Sequence, residues 1–253
     1  MRSKTWCAPS CQSERARPDA STANMTPSVL AAWGVHLYTA FGAVLAFLAL
    51  EASARGNYQL AFIWLAIAII IDSTDGTLAR RFRVKEVLPY FDGAKLDDIM
   101  DYLTYVFVPI VIAYYGGFVP SGLPGYIVCA LPLIASGYGF CHANAKTADH
   151  FFTGFPSYWN VVVFYFYGLG SPVWFNVTVL VLFALLVFVP IRYLYPSRNR
   201  TAQRTTYALG ILWALCFVAL IAQSPPSRWL AWVSLFFPVY YVALSFHLHF
   251  RVR

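Results

Sequence analysis

Long apolar runs alternate with short polar interruptions along almost the whole chain. Eight runs of membrane-crossing character can be marked, at residues 28–50, 57–79, 96–116, 124–143, 157–170, 173–195, 204–223 and 229–248. A helix needs about 20 apolar residues to cross a bilayer core, so the pattern predicts a polytopic, all-α membrane bundle of about eight transmembrane helices. The fifth run is the shortest and is rich in Tyr and Gly. Residues 1–24 are polar and mixed, and are expected to form a disordered tail on the cytosolic side. A single domain spanning 25–253 would follow, with Met25 as an alternative start. The first run is too long for the apolar stretch of a signal peptide, so an uncleaved helix is expected there.

Composition supports this reading. Hydrophobic residues make up 59% of the 253 positions and charged residues only 11%, against about 25% in soluble domains. Of the 18 Lys and Arg, all but Arg55 and Arg228 fall on one side if the N-terminus is cytosolic. The positive-inside rule therefore places both termini in the cytosol. The formal charge of +7 is accounted for by a basic rim facing anionic lipid, with no nucleic acid required. The five cysteines, Cys7, Cys11, Cys129, Cys141 and Cys216, form no C-x-x-C pair, and three lie in apolar runs. Small buried hydrophobes are expected, not a zinc site or a disulfide framework.

The acidic residues are distributed unlike the rest. Of eleven Asp and Glu, seven lie within residues 71–103: Asp72, Asp75, Glu86, Asp92, Asp97, Asp98 and Asp101. On a helix over the second run, Asp72, Asp75, Gly76 and Ala79 share one face. On the third, Gly93, Asp97 and Asp101 share one face, and Asp98 points elsewhere. Asp72 lies about 12 Å inside Arg80 and Asp101 about 9 Å inside Lys95 at helical rise, so four carboxylates meet at similar depth. Asp92 and Asp98 fit helix caps, and Glu86 a loop.

Carboxylates at that depth cost several kcal/mol unless paired, and the spans hold no Lys or Arg beside them. Protons or divalent cations remain, and clustered oxygen ligands suit Mg²⁺ or Mn²⁺. Gly76, Ala79 and Gly93 clear space for a ligand against the backbone, while Arg80 and Lys95 stand at the mouth to hold phosphate oxygens. Metals beside a diphosphate and a free carboxylate make a layout for phosphoryl transfer.

The pattern D-x2-D-G-x2-A-R followed by G-x3-D-x3-D resembles the signature of the CDP-alcohol phosphotransferase family. It is carried by Asp72, Asp75, Gly76, Ala79, Arg80, Gly93, Asp97 and Asp101. The resemblance implies displacement of CMP from a CDP-linked substrate by an alcohol, in a membrane-embedded site open to the cytosol. It implies metal ligation by Asp72, Asp75 and Asp97, with Asp101 both ligating metal and acting as general base. One or two ions, Mn²⁺ or Mg²⁺, and a homodimer are implied with it.

Two departures are visible: residues 81–92 make a longer linker than the family's usual spacing, and there are more spans than many members have. That linker, with "AWGVHLYTAFGAVLAFLAL" and "CHANAKTADHFFTGFPSYWNVVVFY", looks like the branch that makes phosphatidylcholine in the bacterial inner membrane from CDP-diacylglycerol and choline. The signature does not fix the acceptor. Serine remains an alternative, inositol and glycerol phosphate are disfavoured by the few basic residues beyond the motif, and a divalent-cation transporter is a remote one.

A quaternary ammonium favours aromatic faces, and Tyr102, Tyr105, Tyr158 and Trp159 are the candidates for a choline cage by position. Asn144 and Lys146 end the fourth span, where the Lys suits a lipid phosphate. His36 and Thr39 on the first span are placed to face the cleft. Glu51 fits an interfacial position, and His247 and His249 a tail pair.

Overall fold

A computed structural model describes residues 26–142, 151–194 and 203–251. The first long helix, α1 (Pro27–Ala54), starts at Thr26, whose hydroxyl accepts the Val29 N–H, with Pro27 fixing the first turn. A tight turn leads to α2 (Tyr58–Arg81), capped by Asn57 Oδ1 accepting from Leu60 N–H at 3.0 Å. Arg80 and Arg81 close α2, where cations complement the helix C-terminus.

The linker contains the one-turn helix α3 (Val84–Val87). It is followed by α4 (Gly93–Asp101), capped by Asp92 accepting from Lys95 N–H at 3.0 Å, as expected for Asp92. The chain then continues without a break through a π-helical turn (Tyr102–Phe107) into α5 (Val108–Tyr115).

The remaining helices are α6 (Leu123–Cys141), α7 (Trp159–Leu169), α8 (Val173–Phe188), α9 (Gln203–Ile221), α10 (Arg228–Ser234) and α11 (Phe236–Arg251). Helix thus forms at every apolar run. Five segments are long and apolar enough to cross a membrane: Pro27–Ala54, Tyr58–Arg81, Leu123–Cys141, Gln203–Ile221 and Arg228–Phe250. The helices α7 and α8 are apolar but shorter, and the third run is divided by its π turn.

The architecture is all-α, as expected, with one short pair of strands added to it. Strands β1 (Phe151–Thr153) and β2 (Arg192–Leu194) pair antiparallel, with Phe152 opposite Tyr193. Three-residue segments carry too little alternation to show against long apolar helices.

The core is built from small and aromatic residues. Ala46, Ala49 and Ala52 of α1 and Ala61 of α2 let these helices approach closely, while Phe62, Phe164 and Trp159 fill the centre. Polar side chains lock neighbouring helices. Trp159 Nε1–H donates to Ser136 Oγ at 2.7 Å, and Trp213 Nε1–H to Tyr165 Oη at 2.9 Å.

The connecting turns gather at two ends. Tyr58 Oη donates to the Tyr115 carbonyl, Gln59 to the Ile221 carbonyl and Asn176 to the Phe118 carbonyl. Arg228 lies against Gly170. Arg55 and Arg228 therefore share one end, opposite the cluster of Arg80, Arg81, Arg83 and Lys85.

Candidate active site

Adjacent helices place the acids. On α1 and α2, Tyr38 Oη lies 2.8 Å from Thr74 Oγ1, and Thr39 Oγ1 donates to Asp75 Oδ2 at 2.8 Å, which fixes the two helices side by side. Carboxylate oxygens of Asp72, Asp97 and Asp101 all lie within 4.8 Å of one another, each residue partly buried. Three negative charges so close repel strongly unless protons or cations intervene. Asp75 stands beside this set, not within it. It is buried and is hydrogen-bonded to Asp97 as well as to Thr39. A hydrogen bond between two carboxyl groups needs a shared proton, and a cation can replace that proton. The acids therefore meet at one height, as the helical spacing predicts. Their oxygen-only donor set fits a hard divalent ion.

A cleft of about 890 Å³ opens from this set toward the Arg80 end. Asp97 belongs both to the acid cluster and to the cleft wall, so the two are continuous. Gly76, Ala79, Arg80 and Gly93 line it, joined by His36 and Thr39 of α1. At Gly76 a methyl group would meet nothing nearer than Arg80 Nη1 at 3.4 Å, so this glycine borders open space. At Gly93 a Cβ would come within 2.5 Å of His36 Cε1, so the imidazole occupies the room the glycine leaves. Arg80 Nη2 donates to Thr77 at 2.9 Å, which holds the guanidinium at the wall. Lys95 is exposed and lies outside the residues that line the cleft.

The linker 82–92 forms the outer wall. Val84 and Leu88 are buried against Ala32 and Val35 of α1, and this anchors the segment. Arg83 takes a left-handed conformation (φ 51°) and pairs with Glu86. Both Arg83 and Lys85 face the cleft.

On the other flank lie tyrosines. Tyr105 Oη donates to Asp72 Oδ2 at 2.8 Å and is also close to Asp101. Its ring lies 5.9 Å from that of Tyr158, which lies 6.4 Å from Tyr241, which in turn stacks on Tyr193 at 6.4 Å. The other two cage candidates are placed differently. Tyr102 donates to the Leu133 carbonyl at 3.0 Å and packs on Phe140, while Trp159 is fully buried against Ser136.

Tyr193 and Tyr241 were not legible as neighbours of the site, since β2 and α11 are far from the acids in sequence and carry no motif. Asn144 and Lys146 lie outside the described residues. Glu51 pairs with Arg55 at the far end of α1. The π turn begins immediately after Asp101, and such turns are frequent at functional sites.

This geometry agrees with comparison to known proteins. Residues 25–147, which carry all four acids and the cleft, match the CDP-alcohol phosphatidyltransferase family. The phosphatidylcholine synthase of Pseudomonas aeruginosa is 41% identical over 206 residues, covering 80% of this chain and 85% of that protein. That of Legionella pneumophila is 40% identical over 212 residues, covering 81% and 82%. That of Mesorhizobium japonicum is 36% identical over 193 residues, covering 76% and 72%. The chain belongs to the CDP-alcohol phosphatidyltransferase family.

CDP-alcohol phosphatidyltransferases are generally divalent-metal dependent, and Asp72, Asp97 and Asp101 form a donor set that could hold such an ion. The family match ends at residue 147, and Tyr158, Tyr193 and Tyr241 lie beyond it. The acids come from the matched region and most of the tyrosine flank from the rest of the chain.

Proposed function

We propose that this transferase moves the phosphatidyl group of CDP-diacylglycerol onto choline, releasing CMP. The observation that carries the proposal is the position of the acids between two different surfaces. A cationic cleft meets them at Asp75 and Asp97, and a tyrosine flank meets them at Asp72 and Asp101. In-line displacement at phosphorus needs the nucleophile and leaving group on opposite sides, and the two surfaces supply separate berths. The relatives' shared description as phosphatidylcholine synthases supports choline as the acceptor.

Asp72, Asp75, Asp97 and Asp101 would hold one or two divalent ions, Mn²⁺ or Mg²⁺. A metal held there would supply charge neutralisation for the diphosphate and for CMP as leaving group. The chain's own groups do the rest. Arg80 holds diphosphate oxygens at the cleft wall. The Tyr105 and Tyr158 faces receive the quaternary ammonium, which has no N–H to donate and favours aromatic surfaces. This narrows the sequence-based cage to its members beside the acids, with Tyr241 next in line.

Asp101 accepts the choline hydroxyl proton as the oxygen bonds to the phosphorus that carries diacylglycerol. The bond from that phosphorus to the bridging oxygen breaks, and CMP leaves with the oxygen. Thr39 and Tyr105 hold Asp75 and Asp72 in place through their hydroxyl groups.

The distribution of Lys and Arg supports a bundle with the Arg80 end in the cytosol, where CDP-diacylglycerol enters laterally from the inner leaflet. Detergent-purified protein supplied with CDP-diacylglycerol, Mn²⁺ and labelled choline should release CMP and form phosphatidylcholine. CMP release with serine or inositol but not choline would overturn the acceptor. Asp101→Asn should bind CMP yet lose turnover by at least about 100-fold, as removal of a general base does. Retained turnover would remove Asp101 from that role.

A further inference from the structure

His36 is the buried polar group at this site that the reaction above does not use. It is 6% exposed, lines the cleft, and makes no hydrogen bond among the described residues; its Nε2 is buried without a partner. Its ring is clamped, with Phe91 at 4.3 Å and Trp33 at 5.9 Å between centroids. Gly93 presses its bare Cα against the Cε1 edge. A phenylalanine would satisfy this packing without the cost of burying an unpaired polar atom. An imidazole held rigid and unpaired in a ligand-sized cleft is an arrangement for hydrogen bonding to what enters it.

Position says which part of the ligand that is. Thr39, one turn further along α1, meets Asp75, and Asp97 lies one turn beyond Gly93. His36 and Gly93 therefore sit about 5 Å from the acids toward the Arg80 end. A diphosphate on the acids directs diacylglycerol into the bilayer, which leaves the nucleoside to extend along the cleft toward its mouth. Resting on the proposed use of a CDP-linked substrate, we infer that His36 is a nucleotide-recognition residue whose imidazole hydrogen-bonds to the cytidine moiety. A neutral imidazole offers one donor and one acceptor, which matches the mixed donors and acceptors of cytosine and ribose.

The test is CMP binding to the full-length protein in detergent, measured by calorimetry without CDP-diacylglycerol or choline. His36→Phe should weaken CMP about five- to tenfold, the scale of one lost hydrogen bond, and His36→Gln should recover most of that loss. In turnover assays, His36→Phe should raise KM for CDP-diacylglycerol and leave KM for choline in place. A purely structural role would move neither selectively. Unchanged CMP affinity in a folded His36→Phe protein would overturn the inference.

If His36→Phe does not fold, wild-type protein labelled with ¹⁵N-histidine gives the answer. The imidazole signal lost in His36→Gln must move when CMP is added, and an unmoved signal would equally overturn the inference. Failure of the acceptor assignment is distinguishable: wild-type protein would then bind CMP through His36 but show no choline-dependent CMP release.

Discussion

The hydroxyl of Tyr105 reaches Asp72 at 2.8 Å and that of Thr39 reaches Asp75 at the same distance, so each α2 carboxylate has one neutral donor fixing its rotamer. Hydrogen bonds to charged groups contribute about 1.5–3 kcal/mol. Tyr105→Phe keeps the aromatic face and removes only the donor; kcat should fall about tenfold or more, while choline KM, which the proposed cage assigns to the ring, should change little. Steady-state assays with varied choline separate the two.

Gly93 allows a sharper test. A Cβ there would come within 2.5 Å of the His36 ring, and overpacking of this kind costs about 1–3 kcal/mol. Gly93→Ala should lower the thermal midpoint in detergent, and adding His36→Ala should restore part of it, a coupling that a double-mutant cycle measures directly. The four aspartates, the two glycines and Arg80 could be placed from their spacing, because helical periodicity alone puts them on facing sides. What Gly93 accommodates could not, since α1 carries His36 nearly sixty residues upstream with no motif to join them.

At the scale of elements, the linker 82–92 shows why spacing and structure diverge. Its extra length reads in the sequence as a departure, and in the fold it is a wall. Leu88 is 1% exposed, Val84 is 4% exposed, and both pack on Ala32 and Val35. Cutting Leu88 to Ala removes the larger anchor, at about 2–5 kcal/mol for a well-packed core leucine. The wall should loosen locally: proteolysis between residues 82 and 92 should accelerate, and KM for CDP-diacylglycerol should rise more than choline KM.

Helices were legible wherever apolar runs were long. The π turn after Asp101 and the β1–β2 pair were not, because neither is a periodic feature of its own residues. The pair depends on tertiary closure, with the Phe155 N–H donating to the Leu186 carbonyl at 3.0 Å and the Gly154 N–H to Ile191 at 2.9 Å. Through β2 it places Tyr193 against Tyr241. Two residues of the tyrosine flank thus depend on contacts that no local pattern announces.

For the whole molecule, the two-ended arrangement joins charge to chemistry. The turns after α1, α5, α7 and α9 meet at one end with Arg55 and Arg228, while Arg80, Arg81, Arg83 and Lys85 lie at the other, where Arg80, Arg83 and Lys85 line the cleft. A water-soluble nucleotide can leave only through an end that faces water, and the acids lie within a few turns of the basic one. In the proposed orientation, the cations that the positive-inside rule assigns to the cytosol lie where CMP would depart. The proposal couples orientation to catalysis, because an inverted bundle would present the mouth to the compartment that lacks the nucleotide pool.

Cysteine labelling tests this orientation. In a cysteine-free background, Tyr90→Cys places a thiol on the exposed linker, and Ser121→Cys places one in the turn before α6. A membrane-impermeant maleimide that passes the outer membrane should label Ser121→Cys in intact cells and reach Tyr90→Cys only after the inner membrane is opened. The reverse pattern would place the mouth on the outer side. Label at Tyr90→Cys should also slow when CMP is present, because the linker forms a wall of the cleft proposed to take CMP.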